Sequence, residues 1–420
     1  MRIFHGWFVL GGVFVIYAVS NGTANFTLPL FYPSLRDEFG WTQEEVTRPA
    51  AIKFLFASLY SLLIGYLIDR FPARPIMTIG ALLMVSGFVF FTFISNLYHL
   101  TFVVLLLGFG MSWCGLLPCM VITSRWFNVF RGRAVGILLM ASSLGGVIFP
   151  LVVSGSLETG DWRRGAFLMA GAAAIFMVLP FIWPIRDTPE EMDEKPDGRN
   201  TKLNEKQEAK ASTIGYASGT TLSQAARMPE FYFLLIATGT LWFCISAVVQ
   251  HQALYLGQDQ GLPMDQLSWV FSLFFASSIF GKFAFGWLSD HVQKVNVMIL
   301  AIVNLIVGLT ILRFVEGASK EVIYIYAVVY GIGFSGSFTM VQLMVAELFA
   351  GVTYGSILGV FLAVDTLLSG VGIFLLGKIR VVTGSYIPAI DMMLVMCICA
   401  FACVVCLKHL MAKPKHQGSS

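Results

Sequence analysis

Charged side chains are what this chain has least of. Asp, Glu, Lys and Arg together make up 12% of its 420 residues, against roughly 25% in a soluble domain. Hydrophobic residues reach 57%, with 37 Phe among them, so there is too little polar surface to coat a globule in water. That excludes a soluble enzyme and a nucleic-acid-binding protein, and a formal net charge of +3 is too small to call for acidic partners. Motifs that carry catalysis are missing as well. There is no phosphate-cradling loop ending in Gly-Lys-Ser/Thr, no His-Glu-x-x-His pair and no Gly-x-Ser-x-Gly elbow. The seven cysteines imply no disulfide framework. Cys397, Cys399, Cys403 and Cys406 share one apolar stretch, where Cys packs as a small hydrophobe. The sequence is therefore read as a non-enzyme without cofactor or metal.

What the chain does have is long apolar runs. A helix crossing a hydrocarbon core of about 30 Å needs about 20 apolar residues. Twelve stretches qualify, at 7–31, 48–68, 75–95, 99–123, 134–157, 164–185, 230–255, 266–289, 295–315, 321–347, 354–377 and 384–408. The runs are continuous rather than alternating, which argues against a transmembrane barrel. The first is too long for a signal peptide and lacks a small-residue cleavage site, so it is expected to stay in the mature protein. With both termini in the cytoplasm, inner segments hold seventeen Lys and Arg and outer loops six, as the positive-inside bias requires. The other four of the 27, Arg48, Lys53, Lys282 and Arg313, fall within spans. The expected fold is an all-α membrane protein with six-helix bundles at 1–185 and 230–408, and a cytoplasmic tail at 409–420. Between the bundles, residues 186–229 are charged and Pro-containing and read as a flexible linker, with a short surface helix within 215–228.

The two halves echo each other. Gly65-Tyr66-Leu67-Ile68-Asp69-Arg70 after the second span returns as Gly286-Trp287-Leu288-Ser289-Asp290-His291 after the eighth, 221 residues later. Arg125-Trp126-Phe127 returns as Glu347-Leu348-Phe349, 222 residues later. Parallel six-helix repeats with a site at the midplane between them are the architecture of secondary transporters. Gly65-x-Leu67-x-Asp69-Arg70-x-x-x-Arg74 resembles the signature loop of the major facilitator superfamily. His5-Gly6-Trp7, Glu38-Phe39-Gly40-Trp41, Trp126-Phe127-x-x-x-Arg131-Gly132-Arg133-Ala134-x-Gly136 and Asp161-Trp162-Arg163 resemble the branch that holds oxalate/formate antiporters and monocarboxylate transporters. The resemblance implies a twelve-helix transporter that works as a monomer. Its short termini and compactness suggest a multi-pass protein of the bacterial plasma membrane.

Asp69 falls at the end of the second span, on the side where the eleventh begins. A carboxylate near a helix N-terminus is stabilised by about 0.3–1 kcal/mol when exposed, so Asp69 is expected to latch the two together, with Arg70 and Arg74 holding the loop. Asp290 is expected to do the same against the fifth span, near Arg131 and Arg133. For the arginines, a plain positive-inside role is an equal alternative. Glycine pairs such as Gly331/Gly333 and Gly355/Gly359 are read as close-packing positions.

An ionised side chain near the bilayer midplane costs about 2.5–3.5 kcal/mol on insertion scales and so usually faces a cavity or a partner. Lys282 lies about 12 Å from the end of its span and Asp365 about 16 Å into its own, at 1.5 Å per residue. Lys53 lies nearer the outer face. In the resembling branch a cation on the eighth helix binds the substrate carboxylate, and Lys282 matches its place. Here it is Lys, a point charge rather than the bidentate fork of Arg. Where oxalate/formate members carry a second cation, this chain has Asp365, which disfavours a dicarboxylate. Two roles stay open for Lys282 and Asp365: a permanent structural ion pair, or a pair that opens when substrate takes Lys282 and a proton takes Asp365.

In the superfamily the first, fourth, seventh and tenth helices flank the pathway. This points to Tyr17, Asn21, Asn25, Trp113 and Cys114 in the first half, and to Gln250, His251, Gln252, Tyr330 and Gln342 in the second. Each is equally a candidate for a helix–helix hydrogen bond. The expected partners are a small organic anion, a proton and the lipid bilayer. A proton-driven exporter of amphipathic compounds is the alternative function, and a transporter-like sensor or membrane enzyme is a remote third.

Overall fold

The computed structural model describes residues 4–41, 43–198, 220–262, 264–351 and 353–412. Among these, twelve helices are long and apolar enough to cross a membrane: α1 (Gly6–Thr27), α2 (Arg48–Arg70), α3 (Ala73–Phe91), α4 (Leu97–Trp126), α5 (Arg131–Leu157), α6 (Trp162–Phe181), α7 (Pro229–Gln252), α8 (Trp269–Ser289), α9 (Lys294–Arg313), α10 (Lys320–Phe349), α11 (Tyr354–Thr383) and α12 (Ile387–Ala412). They coincide with the twelve apolar runs, and no strand occurs among the described residues. Each span of the second half starts 221 to 225 residues after its counterpart, Arg48 against Trp269 and Trp162 against Ile387 marking the extremes. The repeat seen in two loop motifs thus runs through the whole helical skeleton. Leu151, Phe167, Phe280 and Phe374 are exposed, a placement that suits hydrocarbon and not water.

The chain divides into two compact units, residues 1–219 with 350–363 and residues 220–349 with 364–420. The division passes through α11, whose first turns group with the first unit. Within the first unit α1 packs on α5 and α6, and α3 on α4 and α6. Within the second, α8 and α9 both pack on α10, and α7 and α9 on α12. The most enclosed spans are α10, α1 and α7, three of the four expected to flank a pathway.

Two spans are less regular than their apolar runs predict. The first run, expected to continue to residue 31, ends in a π-helical turn at Gly22–Thr27, a 3-10 turn at Leu28–Phe31 and a separate helix at Tyr32–Phe39. The Thr23 and Thr27 hydroxyls donate to Val19 O at 2.6 Å and Gly22 O at 2.8 Å, and such back-bonding bends helices. The second irregular span, α4, is interrupted at Gly115, between Leu97–Cys114 and Leu116–Trp126.

The connector also differs from its expected flexible character over residues 186–198. Its carboxylates answer backbone N–H groups of the first unit that otherwise lack partners. Asp187 accepts from Arg74 N at 2.9 Å and Glu194 from His5 N at 3.0 Å. Asp197, at a φ of +61°, accepts from the N–H groups of Asn128, Val129 and Phe130 at 2.9, 2.7 and 3.2 Å. Burial pushes the Asp187 carboxyl above its usual range, against the pull of the Arg74 N–H. Residues 199–219 of the connector and 413–420 of the tail lie outside the described residues. Leu222–Ala225 forms a short helix with a Thr221/Gln224 capping box.

Beyond the first span, Glu38 ties its short helix to α6. It accepts from Trp162 Nε1 at 2.6 Å and Arg163 Nη1 at 2.8 Å. The Arg163 guanidinium, helped by the Trp162 N–H, holds the Glu38 carboxyl below its usual range. A carboxyl depressed in the folded state contributes stability that is present above its unfolded value, about 4.3, and lost as pH falls through the folded one. We therefore expect Glu38→Gln to melt below wild type in detergent at pH 7. The gap should close as pH is lowered beneath the carboxylate range, which melting curves over pH 3 to 7 will read.

Candidate functional site

The small residues of α10 set the geometry of the second unit. A Cβ added at Gly333 would lie 2.6 Å from Leu305 N on α9, so the two backbones touch there. On the neighbouring α8, Lys282 is 2% exposed. Its ammonium sits over the Phe338 ring at 4.8 Å and the Phe334 ring at 5.6 Å. An aromatic face attracts a cation by about 0.5–1 kcal/mol at exposed sites and more when desolvated. Phe338 in turn packs edge-on against Trp242 of α7, ring centroids 5.1 Å apart.

Asp365 of α11 is also 2% exposed. Thr238 lies beside it, but that hydroxyl donates to Leu235 O at 3.2 Å. Both Asp365 carboxylate oxygens are buried and accept no hydrogen bond, from Lys282 or any other described residue. The pair expected between Lys282 and Asp365 is therefore not hydrogen-bonded in this structure. An unaccompanied carboxylate in an apolar interior is expensive, so this one calls for a cation or a proton. Ser369, one turn further, donates to Asp365 O at 2.8 Å and Trp242 O at 3.3 Å, and accepts from Ser246 Oγ at 2.8 Å. These bonds stitch α7 to α11.

The other expected lining residues divide into open and committed groups. Gln342 is fully buried with neither amide atom partnered, and the buried Tyr330 hydroxyl also lacks a partner. Tyr330 is stacked on Tyr326, centroids 5.5 Å apart. His251 spends both ring nitrogens, on Tyr386 Oη and Ile373 O, each at 3.1 Å. Gln252 accepts from Tyr326 Oη at 3.0 Å, while Gln250 is exposed. In the first unit Asn25 accepts from Lys53 Nζ at 2.8 Å, and Lys53 also donates to Ala24 O at 3.1 Å. Asn25 thus answers a buried cation within the π-helical turn. Cys114 is taken by Gly110 O and Met84. Tyr17 is buried beside Ser142 and Asn21 is half-buried. Trp113 leans on Phe109 with its indole N–H unpartnered. Two residues that were not among the expected ones, Trp242 and Phe338, stand next to Lys282: its ammonium lies over the Phe338 ring, which packs on Trp242. Their signal was helical spacing: Phe334, Phe338 and Gln342 at i, i+4 and i+8, and Trp242 four after Thr238.

At the end of α2, Asp69 meets the first turn of α11. Its Oδ1 accepts from Gly355 N and its Oδ2 from Ser356 N, each at 2.7 Å. A Cβ at Gly355 would lie 2.7 Å from Asp69 Oδ1 and 2.9 Å from Gly65 O, so only glycine permits the approach. Arg125, absent from the expected set, donates to Ile68 O at 3.1 Å and answers the C-terminal carbonyls of α2. Arg70 stacks on Tyr66 at 4.2 Å, and the Arg74 guanidinium binds Phe181 O. Arg131 Nε donates to Phe127 O at 3.2 Å and Arg133 lies over the Phe130 ring at 5.2 Å. The N–H of Asp290 bonds to Trp287 O at 3.2 Å, closing α8. Asp69→Ala removes a charged cap from two helix N–H groups and is expected to cost about 1–2 kcal/mol. The readouts are a lowered melting temperature and faster hydrogen exchange at the Gly355 and Ser356 amides.

Comparison with known proteins adds to this geometry. A family model described as Major Facilitator Superfamily matches residues 13–265 and 252–420. Human monocarboxylate transporter 11 is 30% identical over 186 residues, 43% of this chain and 39% of that protein. A probable hexose phosphate transport protein of Chlamydia trachomatis is 25% identical over 309 residues, 70% and 65% of the two chains. An agnestins efflux protein of Paecilomyces divaricatus is 26% identical over 329 residues, 76% and 68%. The alignments with the first two span less than two thirds of those proteins' lengths. Among solved structures, FucP in its outward conformation superposes with a TM-score of 0.70 over 97% of this chain and 98% of FucP. At 13% identity that likeness is one of fold.

Proposed function

The chain belongs to the major facilitator superfamily, and on that premise we propose that it moves a small organic monocarboxylate by alternating access, with a proton or by exchange. Lys282 carries this reading: a buried ammonium walled by aromatic rings, with no hydrogen bond to Asp365. A substrate carboxylate docks on the ammonium. Lys282, ionised Asp365 and a bound anion would together leave one net negative charge in a medium of low dielectric. A proton on Asp365 removes that charge, and the cost of burying an uncompensated charge becomes the coupling. A second carboxylate on the substrate would meet Asp365 unfavourably, so dicarboxylates are poor cargo. Asp69, released from Gly355 and Ser356 and rebound to them, serves as the gating latch, with Arg70 and Arg74 holding its loop; Asp290, Arg131 and Arg133 are the corresponding gating residues at the eighth and fifth spans. The protein acts as a monomer in the plasma membrane, with both ends in the cytoplasm.

Export of amphipathic compounds is the second reading. It is favoured by the efflux proteins among the relatives and by the aromatic wall of Phe334, Phe338 and Trp242. Counterflow in proteoliposomes separates the two, using labelled lactate, pyruvate and formate beside a lipophilic cation dye. Carboxylate exchange is expected to fall at least 100-fold in Lys282→Ala. Asp365→Asn should still exchange carboxylate but lose its response to an imposed pH gradient. Dye transport indifferent to Lys282 would favour export, and unchanged proton response in Asp365→Asn would remove the proton role.

A further inference from the structure

The second unit holds more unanswered polarity than a carboxylate and a proton can use. Around the Phe338–Trp242 pair, the Trp242 indole N–H, both amide atoms of Gln342 and both oxygens of Asp365 are buried without a hydrogen-bond partner. Gln342 stands one helical turn beyond Phe338 on the same face of α10. Asp365 lies beside Thr238, one turn before Trp242 on α7. Native interiors leave only a few such groups per 100 residues, and each costs about 1–3 kcal/mol while it stays unpaired. Here Trp242 packs on the ring that also carries Lys282, Gln342 follows that ring by one turn of α10, and Asp365 neighbours α7 one turn before Trp242. Lys282 accounts for one anionic group of a cargo, and the remainder is a set of neutral or proton-sharing partners with no second cation among them.

The set is mixed in sense. Trp242 only donates, Gln342 donates and accepts, and Asp365 accepts when ionised and does both when protonated. A keto group can answer the donors alone, and an alkyl chain answers neither. A hydroxyl donates once and accepts up to twice, so it answers both senses, yet a single hydroxyl leaves at least two of these five atoms unpaired. We infer that the cargo is a monocarboxylate carrying two or more hydroxyl groups, a short sugar acid in chemical class, with its carboxylate on Lys282 and its hydroxyls shared among Trp242, Gln342 and Asp365. This rests on the monocarboxylate reading above and narrows it.

A site built to hydrogen-bond a hydroxyl rejects the analogue that lacks it far more strongly than an apolar pocket rejects a missing methylene. Three acids on one three-carbon skeleton test the idea: propionate, lactate and glycerate, with no, one and two hydroxyls. In competitive counterflow of the wild-type protein, apparent affinity is expected to rise at least tenfold from propionate to lactate and again to glycerate. The glycerate-to-propionate ratio should fall at least tenfold in Trp242→Phe, which keeps an aromatic ring but loses the N–H, and in Gln342→Leu. A flat series with exchange that still depends on Lys282 would overturn the inference and leave the monocarboxylate reading standing, since ordered water then fills those partners. Loss of Lys282-dependent exchange for all three acids would overturn both. The wild-type series decides even if a variant fails to fold.

Discussion

Taking charge out of water is the constraint under which the rest of this structure is arranged. Between Gly6 and Ala412 the chain places few ionisable groups at depth, and it answers each in a different way. Lys53 is met by neutral oxygens, the carbonyl of Ala24 and the amide of Asn25, both supplied by a π-helical turn that presents them. Asp69 is met by the two free N–H groups of the first turn of α11. For Lys53 no opposite charge is among these partners, whereas at Asp69 the Arg125 guanidinium stands near as well. Lys282 instead rests on aromatic faces, and Asp365 accepts no hydrogen bond at all. The carboxyl that the fold leaves without a hydrogen bond thus lies in the second unit, the same unit in which Lys282 is buried against aromatic rings.

Much of this was legible in the sequence because the bilayer simplifies the code. With no water to satisfy the backbone, an apolar run of about 20 residues has one structural outcome, and all twelve runs became helices. Asp69 was legible for a similar reason: a carboxylate at the end of one span and a helix start at the next admit few partners. What was hidden depended on which face of a helix a residue occupies. Asn25 and Cys114 were both polar or polarisable residues on the expected helices, yet Asn25 turned to Lys53 and Cys114 to Met84. The aromatic residues around Lys282 were hidden among 37 Phe and 9 Trp, since composition cannot separate a ring facing lipid from one facing an ammonium. The connector misled for another reason. Its Asp187, Glu194 and Asp197 have the composition of a solvated segment, but orphan N–H groups on the first unit gave them partners, and charge then docks a segment that hydrophobicity cannot.

The repeat shows how far scaffold and chemistry separate. The second unit copies the first helix by helix, with starts 221 to 225 residues apart, but the ionisable groups do not follow. Along α2 and α8, at the offset of 221, Lys53 corresponds to Phe274 and Lys282 to Ser61. Along α5 and α11, at 223, Asp365 corresponds to Ser142, which sits beside Tyr17. Phe274 packs with Tyr330, so the position that holds a cation in one half is plain aromatic filling in the other. A duplicated skeleton supplies two similar bodies, which is what alternating access needs mechanically. Binding needs the opposite, because two equivalent cations would favour a symmetric dianion, whereas one cation and one carboxylate in the same half favour a polar cargo with a single negative end. On the proposed reading, selectivity follows from the divergence of the two halves and not from the repeat itself.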